Sequence, residues 1–175
     1  MSSGMALRGS TLLFVAAMLQ AVIVSSLVFG GGAPDLLLIV VISLGLLRGS
    51  VPGAAFGFAG GLIVDLLTLE TLGISSLVLT LAGFWAGRYT ETTGRGGRLA
   101  PIVAVGALTV LAAVFAVVLH YLLGDEVAAR HVLVTVLFPT LVVNLILAVP
   151  VHALVRATVH HGDGLEPSRE VEVVV

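Results

Sequence analysis

Six apolar blocks alternate with short polar interruptions along the chain, at about residues 12–29, 35–47, 51–69, 74–89, 99–123 and 132–155. A helix rises about 1.5 Å per residue, so most of these blocks are long enough to cross a hydrocarbon core of about 30 Å. The pattern predicts an all-α polytopic membrane protein: six transmembrane helices in a compact bundle over residues 1–157 and a disordered cytoplasmic tail over 158–175. The first block follows Arg8 and reads as a helix. It is not taken for a signal peptide, because the small-residue run Gly30-Gly31-Gly32-Ala33 leads straight into Pro34.

Pro34 and Asp35 open the second block as a helix start favours, with proline in the first turn and a carboxylate near the positive end of the dipole. That helix is short for a full crossing, so it either borrows the preceding glycines or is shielded by its neighbours. Arg48-Gly49-Ser50-Val51-Pro52 is a turn by composition, as is Thr68 to Gly73. The segment Arg88 to Arg98 is the one long polar interruption and belongs outside the hydrocarbon. The last block carries Pro139 and Pro150 as kink candidates around Asn144, a buried polar amide.

The third block has the most legible packing signal. As a helix, Gly53, Gly57, Gly61 and Asp65 fall on one i, i+4 row: three positions without side chains, then a carboxylate. The fourth block answers with its own row of small residues at Ser76, Thr80, Gly83 and Gly87. Membrane helices associate by close van der Waals approach, so the two rows predict a tight hairpin and also a candidate groove for a helix of another protein. Asp65 sits at membrane depth, where an uncompensated charge costs about 3 kcal/mol or more. Its expected partners are hydroxyls of the fourth helix, Asn144, or a polar group of a binding partner.

Composition settles the class that the pattern suggests. Mean hydropathy is +1.18, with 58% hydrophobic and only 10% charged residues, far below the roughly 25% of a soluble domain. No cysteine is present, which excludes disulfides and thiolate chemistry, and the basic residues are scattered singly, which excludes a nucleic-acid footprint. With six crossings, Arg8, Arg48, Arg88, Arg95, Arg98, Arg156 and Arg169 share one side and Arg130 stands alone on the other. The positive-inside rule then places both termini in the cytoplasm and Asp65 in the outer half of the bilayer.

Candidate chemistry is sparse. A proton relay through Asp65 lacks a second intramembrane acid, and the pair His160-His161 is too little for a metal site. Neither Gly-x-Ser-x-Gly, His-Glu-x-x-His nor a phosphate-binding loop occurs, so the chain is read as a non-enzyme without cofactor or metal.

The order Pro34-Asp35-Leu36-Leu37-Leu38, Arg48-Gly49, Gly53, Gly57, Gly60-Gly61-Leu62, Asp65, Leu72-Gly73 and Gly83-Phe84-Trp85-Ala86-Gly87 resembles the rod shape-determining MreD family. The resemblance implies a multi-pass component of the bacterial inner (cytoplasmic) membrane that serves the cell-elongation machinery. Its implied partners are MreC and, through it, RodA and a penicillin-binding transpeptidase of lateral peptidoglycan synthesis. For the Arg88–Arg98 loop, the MreB filament and anionic lipid are the two candidate contacts. The family is similar in architecture to the substrate-binding components of energy-coupling-factor vitamin transporters.

Two functions follow. In the first the protein is a scaffold that clasps the MreC membrane helix against its third and fourth helices along the glycine row. The alternative is the substrate-binding membrane component of a vitamin-type transporter, with Asp65 and Asn144 lining an outward pocket. An aromatic content of only 6% argues against a flat heterocyclic ligand.

Overall fold

The computed structural model describes residues 3–26, 33–69, 71–94, 99–124 and 135–160. They form six helices: α1 (Ser3–Ser26), α2 (Leu36–Arg48), α3 (Ser50–Thr68), α4 (Ile74–Thr93), α5 (Ala100–Leu122) and α6 (Leu137–His160). Among the described residues there is no strand. By length and composition three segments qualify to cross a bilayer, Ser50–Thr68, Ala100–Leu122 and Leu137–Val159, while Arg8–Val22 and Leu36–Arg48 are shorter apolar stretches.

The short helix α2 is the centre of the molecule. It touches all five of the others, which surround it in the order α1, α3, α4, α5, α6 and back to α1. Leu37 through Gly45 are buried without interruption. A run such as Leu-Leu-Ile-Val-Val-Ile has no polar face to turn outward, and a helix apolar all round belongs inside. Of the two readings of its shortness, shielding by neighbours is the one observed.

A helix that starts inside a bundle must find partners for its first N–H groups without water. Two neighbouring helices and the N-cap residue supply them. The Asp35 N–H donates to Asn144 Oδ1 of α6 at 2.9 Å, and the Leu36 N–H donates to Gln20 Oε1 of α1 at 2.8 Å. Asp35 itself is the N-cap, its Oδ1 accepting from the Leu38 N–H at 3.0 Å. Asn144 in turn donates through Nδ2 to Thr109 Oγ1 of α5 at 3.2 Å.

Several helix limits differ from those the hydropathy predicts. The helix α1 begins at Ser3 rather than near residue 12, because backbone hydrogen bonding continues through small and polar residues after apolar character ends. For the same reason α4 runs on to Thr93 and α6 to His160, so Arg88 to Thr93 and residues 158–160, expected as loop and tail, are helical. Pro34 precedes the N-cap instead of entering the first turn of α2. Pro139 lies just after the π-helical residues 135–136 that lead into α6, and Pro150 lies inside that helix. The loop residues Asp125, Glu126 and Arg130, and the tail from His161 onward, lie outside the described residues.

Candidate functional site

The pair α3–α4 is the most intimate contact in the fold, and glycine is the reason. A Cβ built on Gly57 would overlap the Leu79 carbonyl and stand 2.8 Å from the Thr80 nitrogen. On Gly61 it would overlap the Ser76 backbone and lie 2.5 Å from the Ser75 carbonyl carbon; on Gly53 and Gly83 each would strike the other's carbonyl; on Gly87 it would strike Gly49 and Ser50. Backbone faces backbone along the whole row, which only side-chain-free positions permit. Ser76 Oγ adds a hydrogen bond to the Phe58 carbonyl at 2.9 Å, and Thr80 Oγ1 bonds back to the Ser76 carbonyl within α4.

The small-residue rows singled out from sequence therefore face each other at Gly53–Gly83, Gly57–Thr80 and Gly61–Ser76, while Gly87 packs on Gly49 and Ser50 at the start of α3. The groove they line is filled by α4 of the same chain and offers no free channel to a second protein. The central helix joins at one level, where a Cβ on Gly45 of α2 would stand 2.6 Å from the Gly83 carbonyl oxygen and 3.0 Å from Ala86 Cβ.

Each helix of the hairpin caps the start of the other. Asp65, near the end of α3 and 1% exposed, accepts the Gly73 N–H at 2.7 Å through Oδ2, and Gly73 is the N-cap of α4. At the opposite end Glu91, in the last turn of α4, accepts both the Ser50 N–H at 2.7 Å and the Ser50 hydroxyl at 2.8 Å, at the first residue of α3. A carboxylate at a helix N-terminus meets unpaired N–H groups and the positive end of the dipole. The antiparallel register that sets Gly57 against Leu79 also sets these two caps, so zipper and caps stabilise one alignment.

Asp65 thus bonds a backbone N–H of the α3–α4 connection, and not a hydroxyl of α4 or Asn144. Among the described residues its Oδ1 has no hydrogen-bond partner. Asn144 belongs to a different hydrogen-bonded cluster, with the Asp35 N–H and Thr109, at the start of α2 where Gln20 also bonds. A cleft does open between α4 and α5, but Val78, Leu81, Ala82, Trp85, Leu108 and Phe115 make it apolar.

Glu91, Gln20, Thr109 and Gly45 hold positions that the sequence pattern does not single out. For Gln20 and Thr109 a lone polar residue in mid-block is the available signal. Glu91 gives none, since its role depends on how α3 and α4 align.

The Ser50 N–H and hydroxyl, with Arg88 3.2 Å behind them, hold the Glu91 carboxyl below its ordinary value. A lowered folded value means that the cap stabilises above the unfolded carboxylate range and fades as pH falls through and below it. Glu91→Gln is therefore expected to unfold at a lower temperature than wild type at pH 7 and to converge with it as the pH is taken down from about 5. Paired thermal melts in detergent across that range measure the convergence. A gap that stays constant with pH would mean the Glu91 cap is not formed.

The face of α3 turned away from α4 remains open. Val51, Ala55, Phe58, Ala59, Leu62 and Leu66 are exposed along it, at the i, i+4 and i+3 spacing of one stripe. Compared with known proteins, the chain matches the family model described as rod shape-determining protein MreD over residues 4–160. No curated protein and no solved structure matches it.

Proposed function

Because the chain belongs to the MreD family of rod shape-determining proteins, we propose that it is a non-enzymatic membrane scaffold of the elongation machinery. It binds the membrane helix of MreC and supports lateral peptidoglycan synthesis through RodA and its transpeptidase. The bundle crosses the inner membrane six times with both termini in the cytoplasm. Trp85 and Tyr121, exposed towards opposite ends of the bundle, fit the two interfacial aromatic levels of such a span.

The observation that carries the scaffold reading is where the polar groups go. Asp35, Asp65, Glu91, Asn144, Thr109 and Gln20 all bond helix starts or each other. The cleft between α4 and α5 is apolar. Such a bundle holds its shape and presents surfaces, and its polar interior does not converge on a substrate. With the glycine row filled by α4, the proposed seat of the partner is the outward stripe of α3, whose Ala55 and Ala59 are small and exposed.

Ala59→Trp tests this seat. The variant is expected to insert and melt like wild type while losing co-purification with MreC. The same substitution on an exposed position of α5, Val114→Trp, should leave co-purification intact. Equal recovery of MreC with both variants would remove α3 as the seat.

A further inference from the structure

Among the described residues Leu69 is the one non-glycine residue with a positive φ. It is the C-cap of α3, held in the left-handed region at φ 56° and ψ 28°. A Cβ in that region crowds the neighbouring carbonyl, and helix ends that need this geometry favour glycine or asparagine.

The hairpin accounts for the backbone of Leu69. Asp65 holds the Gly73 N–H at 2.7 Å, so the chain must leave α3 after Thr68, reverse, and enter α4 at Ile74. Gly73, on the far side of the same connection, meets a like demand at φ 101° without a side chain. The leucine side chain has no such account. It is 91% exposed, the most of any large hydrophobic residue described, and so returns almost no packing within the chain to offset its strain. A strained residue whose side chain touches almost nothing of its own chain points to a contact outside it.

The outward stripe of α3 says where that contact comes from. Leu69 lies three residues beyond Leu66 and carries the exposed apolar line that begins at Val51 past the last turn of the helix, with Leu67 and Leu72 exposed beside it. A helix seated along the stripe reaches Leu69 at the end of its contact. In the orientation proposed above this is the extracytoplasmic edge of the bilayer, where burial from water supplies a drive that is absent between helices in hydrocarbon. We infer that Leu69 is a contact residue for the partner's membrane helix at the point where that helix leaves the bilayer. The inference rests on the scaffold reading and its seat on α3, and adds the outer end of that seat.

The test measures stability and binding together, with the full chain in mild detergent and MreC as the probe. Leu69→Gly removes the strain and the contact at once. Its unfolding midpoint is expected to rise by about 2 °C. The MreC concentration for half-maximal co-purification is expected to rise about tenfold. Leu69→Ala keeps a Cβ and its strain, so it should melt like wild type and bind as weakly as Leu69→Gly. Leu69→Met should retain binding. Melting of Leu69→Gly below wild type would make the leucine a part of the fold and overturn the inference. Unchanged MreC binding in both Leu69→Gly and Leu69→Ala also overturns it, and leaves lipid as what the side chain meets. The seat on α3 fails separately: weak binding in Leu69→Gly with full recovery in Ala59→Trp keeps the Leu69 contact and discards the stripe.

Discussion

Leucine in place of Gly57 is expected to prevent the chain from accumulating as a folded protein. The atoms that a side chain would meet are the Leu79 carbonyl and the Thr80 nitrogen, which are backbone and cannot rotate aside. The helices would have to separate, and the row from Gly53 to Gly61 would lose its contacts together. Even Gly57→Ala should cost about 3 kcal/mol, at the upper end for overpacking because no flexible neighbour absorbs it. Gly60→Ala is the internal control. There a Cβ meets only Leu13 side-chain atoms at 3.1–3.3 Å, which shift by a few tenths of an ångström, so the cost should stay below about 1 kcal/mol. Thermal melts and size-exclusion profiles in mild detergent distinguish the two. Equal melting of Gly57→Ala and Gly60→Ala would show that the α3–α4 register is not the one described. Loss of MreC binding in Gly57→Leu would report a lost fold and would say nothing about the partner's seat, which is why Ala59→Trp carries that question.

Asp65→Leu is the second large effect. It removes the acceptor of the Gly73 N–H, held by a side chain that is 1% exposed, and loss of this cap should cost about 2 kcal/mol. Asp65→Asn keeps an acceptor oxygen of the same reach. Its melting should therefore lie within about 1 kcal/mol of wild type. Two variants differing this widely would establish the cap as a hydrogen bond and not a charge effect. If leucine is tolerated as well as asparagine, the cap is not formed in the membrane, and Gly73 must find its acceptor elsewhere.

The small-residue rows are legible in the bare sequence because close helix approach leaves a direct trace: Gly53, Gly57 and Gly61 repeat at the helical period, and so do Ser76, Thr80, Gly83 and Gly87. Asp65 is legible as an anomaly, since a carboxylate in an apolar block demands a partner. Which partner it has is not legible, because Gly73 meets it only once the hairpin has closed. The same holds for Glu91, which looks like one more polar residue at a helix end until α4 lies antiparallel to α3 and brings it to Ser50.

By itself the sequence determined the class, the order of the helices, the family and the tightness of one hairpin, all of which follow from composition and from spacing within single helices. The tertiary structure alone decided that α2, the shortest helix, is the axis of the bundle, and that Gln20, Thr109 and Asn144 converge to start it. It also decided that the glycine row is closed within the chain, leaving the opposite stripe of α3 free. The physical reason is that hydropathy and helical period act within a block, whereas hydrogen-bond partners and buried faces are set by distances between blocks, and those exist only after the helices have packed.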